Sequence, residues 1–296
     1  MMLLRELIRN AEDTLRQVYP EREARQMVFS LLEHHLGTKP HTHIIEPQYQ
    51  VAEDDFAVVM KSLGRLAAEE PLQYVINQAW FYGRAFRVTP DVLIPRPETE
   101  LLCREALDEV RRRGFGDNVS VLDLCTGSGC IAWTMALELP ASRVFAADIS
   151  EAALEVASSQ GLSEAGPEFF KADVLREDLG RQIADAGAGA PEKFDIILSN
   201  PPYVRESEKA LMRHNVLDWE PSLALFVPDS DPLKFYRALS RHASALLSDN
   251  GFGIVEINEA FGEETAELFT CAGFRCNIIH DLSGRPRHIK FFSATN

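Results

Sequence analysis

Val119-Ser120-Val121-Leu122-Asp123-Leu124-Cys125-Thr126-Gly127-Ser128-Gly129-Cys130 is the stretch that decides the fold. Its first six residues form a short, mostly apolar run of strand type. The glycines that follow let the backbone approach a ligand and adopt angles other residues avoid. A helix is expected from about Cys130, with its first N–H groups aimed at whatever the turn holds. Alone, a glycine-rich strand-to-helix turn is a weak signal. Asp148, 21 residues after Gly127, strengthens it. It ends the next expected strand, where a carboxylate can accept hydrogen bonds from both ribose hydroxyls of a nucleoside.

Working outward, short apolar runs alternate with helical patterns from Asn118 onward. Strands are expected at Val119–Leu124, Arg143–Ala147, Glu168–Lys171, Phe194–Ser199, Phe252–Ile257, Arg275–Ile279 and His288–Phe292. This alternation implies a mostly parallel sheet covered on both faces. Asp173 follows the third strand, within reach of an adenine amine. Asp123 either orients the glycine loop or touches the cofactor. Trp133 and Met135 read as core, and Ala184–Ala190 as a surface loop. To this point the cofactor is either NAD or S-adenosylmethionine.

The fourth strand separates the two. Phe194-Asp195-Ile196-Ile197-Leu198-Ser199 runs into Asn200-Pro201-Pro202-Tyr203. Two prolines stiffen the backbone and remove two N–H donors. Carbonyls and the Asn200 amide are left facing the strand-end crevice, which suits a planar NH2 group. The Asn200 side-chain oxygen and the Pro201 carbonyl can each accept one of its hydrogens, and Tyr203 can stack on its flat face. Hydride transfer has no evident need for this arrangement.

The chain before Asn118 reads differently. Leu3, Leu4, Leu7, Ile8, Ala11, Leu15 and Val18 recur at helical spacing, as do Ala24, Met27, Val28, Leu31, Leu32 and Leu36 before a capping Gly37. Phe56, Val59, Met60, Leu63, Leu66 and Ala67 make a third run that stops before Pro71. These predict a small helical bundle over 1–75. Trp80 to Val88 reads as a hairpin around Gly83. Pro95-Arg96-Pro97 reads as a stiff turn, with a helix starting near Thr99. The segment 76–100 is thus a hairpin and proline-rich linker, ahead of an α/β domain over 101–296.

Composition bounds the partners. The chain has 296 residues, with 30 Lys+Arg against 45 Asp+Glu, a net charge of −15. A surface this acidic repels phosphate backbones, so nucleic acid is not the expected partner. No apolar run reaches the ~18 residues of a membrane span. Charges break up the N-terminal stretch before a signal-peptide core can form. The five cysteines read as reduced thiols of a cytoplasmic protein, and no histidine stands near them to complete a metal set. The imidazoles at His34, His35, His41 and His43 read as solvated, not as ligands. A monomer is the default.

Asn200-Pro201-Pro202-Tyr203 resembles the signature of methyltransferases that use S-adenosylmethionine to modify planar amines or amides. Within that class the chain is similar to the HemK-type peptide chain release factor glutamine methyltransferases. Carrying the likeness are Pro71-Leu72-Gln73-Tyr74, Ile94-Pro95-Arg96-Pro97-Glu98-Thr99-Glu100, the glycine loop, Asn200–Tyr203, Glu220-Pro221 and Asp281-Leu282-Ser283-Gly284-Arg285-Pro286-Arg287.

The resemblance implies a helical domain that grips a release factor and a Rossmann-like, seven-stranded class I methyltransferase domain joined to it by a hairpin. It implies transfer of a methyl group to the glutamine of a Gly-Gly-Gln loop, with S-adenosylhomocysteine as product. Carried over by residue, it assigns the cofactor to Cys125, Thr126, Gly127, Ser128, Gly129, Asp148, Asp173, Val174 and Asn200. Substrate falls to Asn200, Pro201, Pro202 and Tyr203, with Asn200, Pro201 and Tyr203 catalytic.

The chain departs from the family at two places. Cys125 replaces the usual glycine, which requires φ < 0 there. Val227-Pro228-Asp229-Ser230-Asp231-Pro232 replaces a glycine-rich segment and implies a stiffer loop. Cys125 and Asn77-Gln78-Ala79-Trp80-Phe81 also suit a ribosomal-protein glutamine methyltransferase, whereas Pro95–Glu100 favours the release factor. A nucleic-acid adenine methyltransferase must take a base out of its stack, and no basic target-recognition segment is evident. A non-catalytic binding module is disfavoured by the intact Asp148 and Asn200–Tyr203.

Overall fold

The computed structural model describes residues 2–116, 118–186 and 189–293. They form two compact units: residues up to Gln78 with Arg213–Trp219, and Ala79–Met212 with Glu220 onward.

The first unit holds three long helices, Leu4–Leu15, Glu21–Leu36 and Glu53–Ala67. Side chains three and four apart along each helix, such as Leu4, Leu7 and Ile8, or Val28, Leu31 and Leu32, close on one core. The second helix ends at Gly37, whose φ of 66° is the left-handed cap expected of glycine. A short antiparallel pair, β1 (Met2–Leu3) and β2 (Gln50–Val51), ties the start of the chain to the third helix. Pro71 cannot extend that helix. Arg65 spans the break: its guanidinium holds the buried Glu70 at 2.7 Å and donates to the Tyr74 and Val75 carbonyls, each at 3.1 Å.

A hairpin follows, β3 (Gln78–Phe81) and β4 (Arg84–Arg87). Its two turn residues, Tyr82 and Gly83, have φ of 49° and 73°. Positive φ at both positions gives the twist that a two-residue hairpin needs. The next helix is Pro97–Arg113, starting two residues before the expected Thr99. Pro97 is its first residue, where a missing N–H costs nothing. Only Pro95 remains in the turn.

The sheet is built from β5 (Ser120–Leu124), β6 (Arg143–Asp148), β7 (Glu168–Lys171) and β8 (Phe194–Ser199), then β11, β12 and β13. A small parallel pair, β9 (Val204–Arg205) with β10 (Phe226–Val227), lies outside it. β11 spans Leu247–Glu256, β12 Phe274–His280 and β13 Pro286–Ser293. The order is β12-β13-β11-β8-β5-β6-β7, with all pairings parallel except those of β13. All seven expected strands are present. β11 begins earlier than expected, at Leu247, through an irregularity before Phe252. The expected loop at Ala184–Ala190 is shorter: the helix Leu179–Ala186 runs into it, and residues 187 and 188 lie outside the described residues.

Side chains alternate between the two faces of each central strand. Leu122, Leu124 and Ile197 join one core, and Val121, Ile196 and Leu198 the other. Trp133 and Met135 are buried in the second, as expected. After β7 the chain returns to the opposite side of β5 to lay down β8. The crevice between the carboxyl ends of β5 and β8 is therefore the topological switch point, where such sheets bind ligands. Among the described residues no helix is long and apolar enough to cross a membrane.

Gly253 tests the packing. It pairs with Phe291 and Ile197 on the strands either side. A Cβ there would stand 2.0 Å from the Phe291 ring, which itself stacks on Phe269 at 4.4 Å. Gly253→Ala should cost about 3 kcal/mol in urea unfolding, the upper range of overpacking. A loss below about 0.5 kcal/mol would mean that the ring has room to retreat.

Candidate active site

A cavity of about 220 Å³ opens at the switch point. Cys125 to Ser128 form one side and Asp148 to Ser150 the next. Ala172 to Leu175, Asn200 and Pro202 continue it. Pro95, Arg96 and Thr99 line it from the proline-rich stretch, and Pro221, Leu223 and Phe226 from the segment after Glu220. Of the expected site residues, Gly129, Pro201 and Tyr203 do not line it.

The glycine loop corrects one expectation. Cys125 has φ of +62°, not a negative value. The Thr126 N–H bonds to the Ala147 carbonyl of β6 at 3.0 Å, and its hydroxyl donates to Asp123 Oδ2 at 2.6 Å. With Leu124 still in β5, the chain must turn at Cys125. The left-handed conformation costs a non-glycine residue about 1–2 kcal/mol, which these bonds offset. Gly129 serves packing instead. A Cβ there would meet Ala157 Cβ at 3.0 Å and Trp133 at 3.2 Å.

The acids have separate roles. Asp123 is fully buried and does not line the cavity, so its bond to Thr126 makes it the loop's orienting group. Burial raises its pKa to about 7, only partly opposed by the Thr126 bond. Asp148 lines the cavity. Its Oδ2 accepts from the Gly127 N–H at 2.9 Å and its Oδ1 from the Ser150 N–H at 3.0 Å. Burial raises its pKa as well, against the pull of these N–H groups. A carboxylate offers about four acceptor sites, so acceptor capacity remains for a ligand beside the Gly127, Ser150 and Ile149 N–H groups. Asp173 accepts from the Leu175 N–H at 2.9 Å and lines the cavity beside Val174.

Asn200 reaches the cavity from the end of β8. Its Nδ2 donates to Thr99 Oγ1 at 3.1 Å, and Thr99 donates to Glu256 Oε2 at 2.7 Å. Tyr203 is turned away from the stacking position expected of it. Its hydroxyl donates to Glu256 Oε1 at 2.9 Å, and its carbonyl accepts from Asn258 at 3.1 Å. Burial and the adjacent Glu256 push the phenol pKa well up, so it stays protonated.

Sequence reasoning missed Glu256, His288 and the clasp between Arg96 and Glu220. That ion pair, 2.6 Å long with Glu220 almost wholly buried, fastens the proline-rich stretch to the segment carrying Pro221. The available signal for Glu256 was an acid inside the apolar run Phe252–Ile257. The loop at 227–232 is tied at both ends, by Ser207 N–H to Asp229 at 3.1 Å and by Arg237 to Asp231 at 3.1 Å.

The strand order, the reversed β13 and the helices on both faces make this a class I methyltransferase fold. Residues 99–218 match the family model of the methyltransferase small domain, and residues 6–76 that of the PrmC N-terminal domain. The release factor glutamine methyltransferase of Flavobacterium psychrophilum is 36% identical, over 98% of this chain and 99% of its own. That of Bacteroides thetaiotaomicron is 43% identical, over 75% of this chain and 76% of its own. That of Cereibacter sphaeroides is 40% identical, over 76% of each. The chain belongs to the release factor glutamine methyltransferase family.

Asp123 has a pH-dependent consequence. Between about pH 4 and its folded pKa of about 7, the unfolded carboxyl is ionised and the folded one is protonated. The folded state binds the extra proton, so this group's contribution to stability falls as pH rises through that window. Asp123→Asn removes the dependence. Relative to wild type it should gain roughly 1.4 kcal/mol per pH unit between about pH 5 and pH 7 in urea melts. Parallel stability curves would show that Asp123 is ionised throughout.

Proposed function

We propose that this protein transfers a methyl group from S-adenosylmethionine to the side-chain amide nitrogen of the glutamine in the Gly-Gly-Gln loop of peptide chain release factors. One observation carries the chemistry: Asp148 and Asn200, from strands either side of β5, line one cavity with the glycine loop. The names of the relatives carry the substrate.

The residues fit the cofactor. Free acceptor positions on Asp148 suit the ribose hydroxyls, and Asp173 suits the adenine amine. Val174 and Phe235 offer apolar walls. The two carboxylates favour a cationic ligand. When bound, S-adenosylmethionine supplies an electrophilic methyl group on a positively charged sulfur.

The remaining work falls to this chain. An amide nitrogen is a poor nucleophile because its lone pair is delocalised, so it must be aligned. The side-chain oxygen of Asn200, which lines the cavity, accepts an amide hydrogen and turns the lone pair toward the methyl group. Orientation of this kind is worth up to ~7–11 kcal/mol. No strong base is required beforehand. The nitrogen becomes acidic as the bond forms, and its proton leaves late. The walls of the cavity keep water from competing.

Labelled S-adenosylmethionine offered with a release factor, with that factor carrying alanine for the Gly-Gly-Gln glutamine, and with ribosomal protein tests the assignment. Label is expected on the first alone. Label on ribosomal protein alone would replace the substrate and leave the chemistry. Asn200→Ala should keep cofactor affinity and lose roughly 10²–10³ in turnover. Asp148→Ala should mainly weaken cofactor binding in calorimetry. Unchanged turnover in the first, or unchanged affinity in the second, would remove that residue from the site.

A further inference from the structure

We propose that Thr99 and Glu256 are positioning residues that fix which end of the Asn200 amide faces the substrate. This rests on the methyl-transfer reading above. It concerns the direction of a hydrogen-bond chain that begins in the core and ends in the cavity.

Glu256 ends β11 and is 2% exposed. Directly across the ladder from it stands His288 of β13, wholly buried, with Nε2 3.7 Å from Glu256 Oε2. Burial works to raise the Glu256 pKa. His288, Thr99 and Tyr203 together outweigh it, and the carboxyl is held below its ordinary value. Each of its oxygens takes a hydroxyl hydrogen, at 2.7 Å from Thr99 and 2.9 Å from Tyr203, so Glu256 stands as an acceptor with no proton to give.

Direction follows from that role. An ionised carboxylate only accepts. Both hydroxyls that touch it, those of Thr99 and Tyr203, must donate. A threonine hydroxyl has one hydrogen. Once that is committed to Glu256, Thr99 can only accept from Asn200, at 3.1 Å. The Asn200 group on that side is therefore its NH2. Its Oδ1 is left for the cavity, as an acceptor. The opposite orientation would set an NH2 of Asn200 against the NH2 of the substrate, donor against donor. A neutral partner at 256 would lift the constraint, because a hydroxyl between two amides can run its chain either way.

A purely structural Glu256 would also be buried and bonded, so the test separates chemistry from folding. Full-length Thr99→Val and Thr99→Ser proteins are compared with wild type in methyl transfer to a release factor and in cofactor calorimetry. Thr99→Val removes the hydroxyl at nearly constant volume. It should keep the cofactor Kd and the KM for the factor and lose roughly 10²-fold in kcat. Thr99→Ser restores the hydroxyl and should recover most of the rate. Glu256→Gln is the second route: near-isosteric and neutral, it should lower kcat without changing cofactor Kd.

A second readout needs no turnover. The Asn200 side-chain NH2 resonances, assigned by their loss in Asn200→Asp, should shift in Thr99→Val and return in Thr99→Ser. Wild-type kcat in Thr99→Val, no rescue by Thr99→Ser, or unmoved Asn200 resonances would overturn the proposal. If wild type labels no release factor, the substrate reading fails by itself, and the resonances still decide the positioning role.

Discussion

The Ser199 hydroxyl donates to the Leu124 carbonyl across a buried 2.7 Å bond. These are the last residues of β8 and β5, and the bond clamps the two strand ends where the sheet reverses its order. Immediately beyond it the chains part, one into the glycine loop and the other into Asn200. Everything in the cavity inherits its spacing from that clamp and from the parallel register below it, Leu122 against Ile197 and Asp123 against Leu198. A strand slipped by one residue would exchange its two faces. It would carry Asn200 out of the crevice and bring Ser199 or Pro201 to its place.

Three carboxyls lie near this clamp, Asp123 and Glu256 buried and Asp148 partly so, and their surroundings sort them into three states. At Asp123 burial outweighs the Thr126 hydroxyl and the Ala132 N–H, and the pKa rises to about 7. Asp148 is also raised by burial, but backbone N–H groups on both oxygens support its charge. Glu256 accepts from two hydroxyls, has the His288 imidazole 3.7 Å away, and falls below the ordinary range. Burying an unpaired charge is costly, and only beside Glu256, where an imidazole joins the hydroxyls, do the partners outweigh burial. One functional group, the carboxyl, thereby provides an orienting group in the loop, an acceptor in the cavity and a fixed negative charge behind it.

Much of the fold was legible because the relevant forces are local. Alternating apolar runs named every strand of the main sheet, and helical spacing named the three long helices of the first unit. Glycines and prolines marked most of the turns. The candidate site was legible where it consists of backbone motifs at strand ends: the loop at Cys125–Ser128, Asp148, Asp173 and Asn200 all reach the cavity. It was not legible where side chains distant in sequence meet. Thr99 and Asn200 are 101 positions apart, and Thr99 and Glu256 157. Nothing in the local pattern pairs them. The aromatic ring of Tyr203 suggested stacking because its partner Glu256 could not be seen.

Cys125 shows why local rules fail at such a site. A side chain disfavours positive φ, and the sequence alone argues for a negative value. The surrounding bonds leave no alternative: Thr126 is held by both Ala147 and Asp123, and Gly127 by Asp148. Strain of about 1–2 kcal/mol in one residue is small against several hydrogen bonds at about 1 kcal/mol each. Burial, with the nearby Asp148 and Asp123 carboxyls, also pushes the thiol pKa well up. A thiol so held is a poor nucleophile. It can border the cavity without reacting there, because burial first, and then the nearby carboxyls, keep the sulfur protonated.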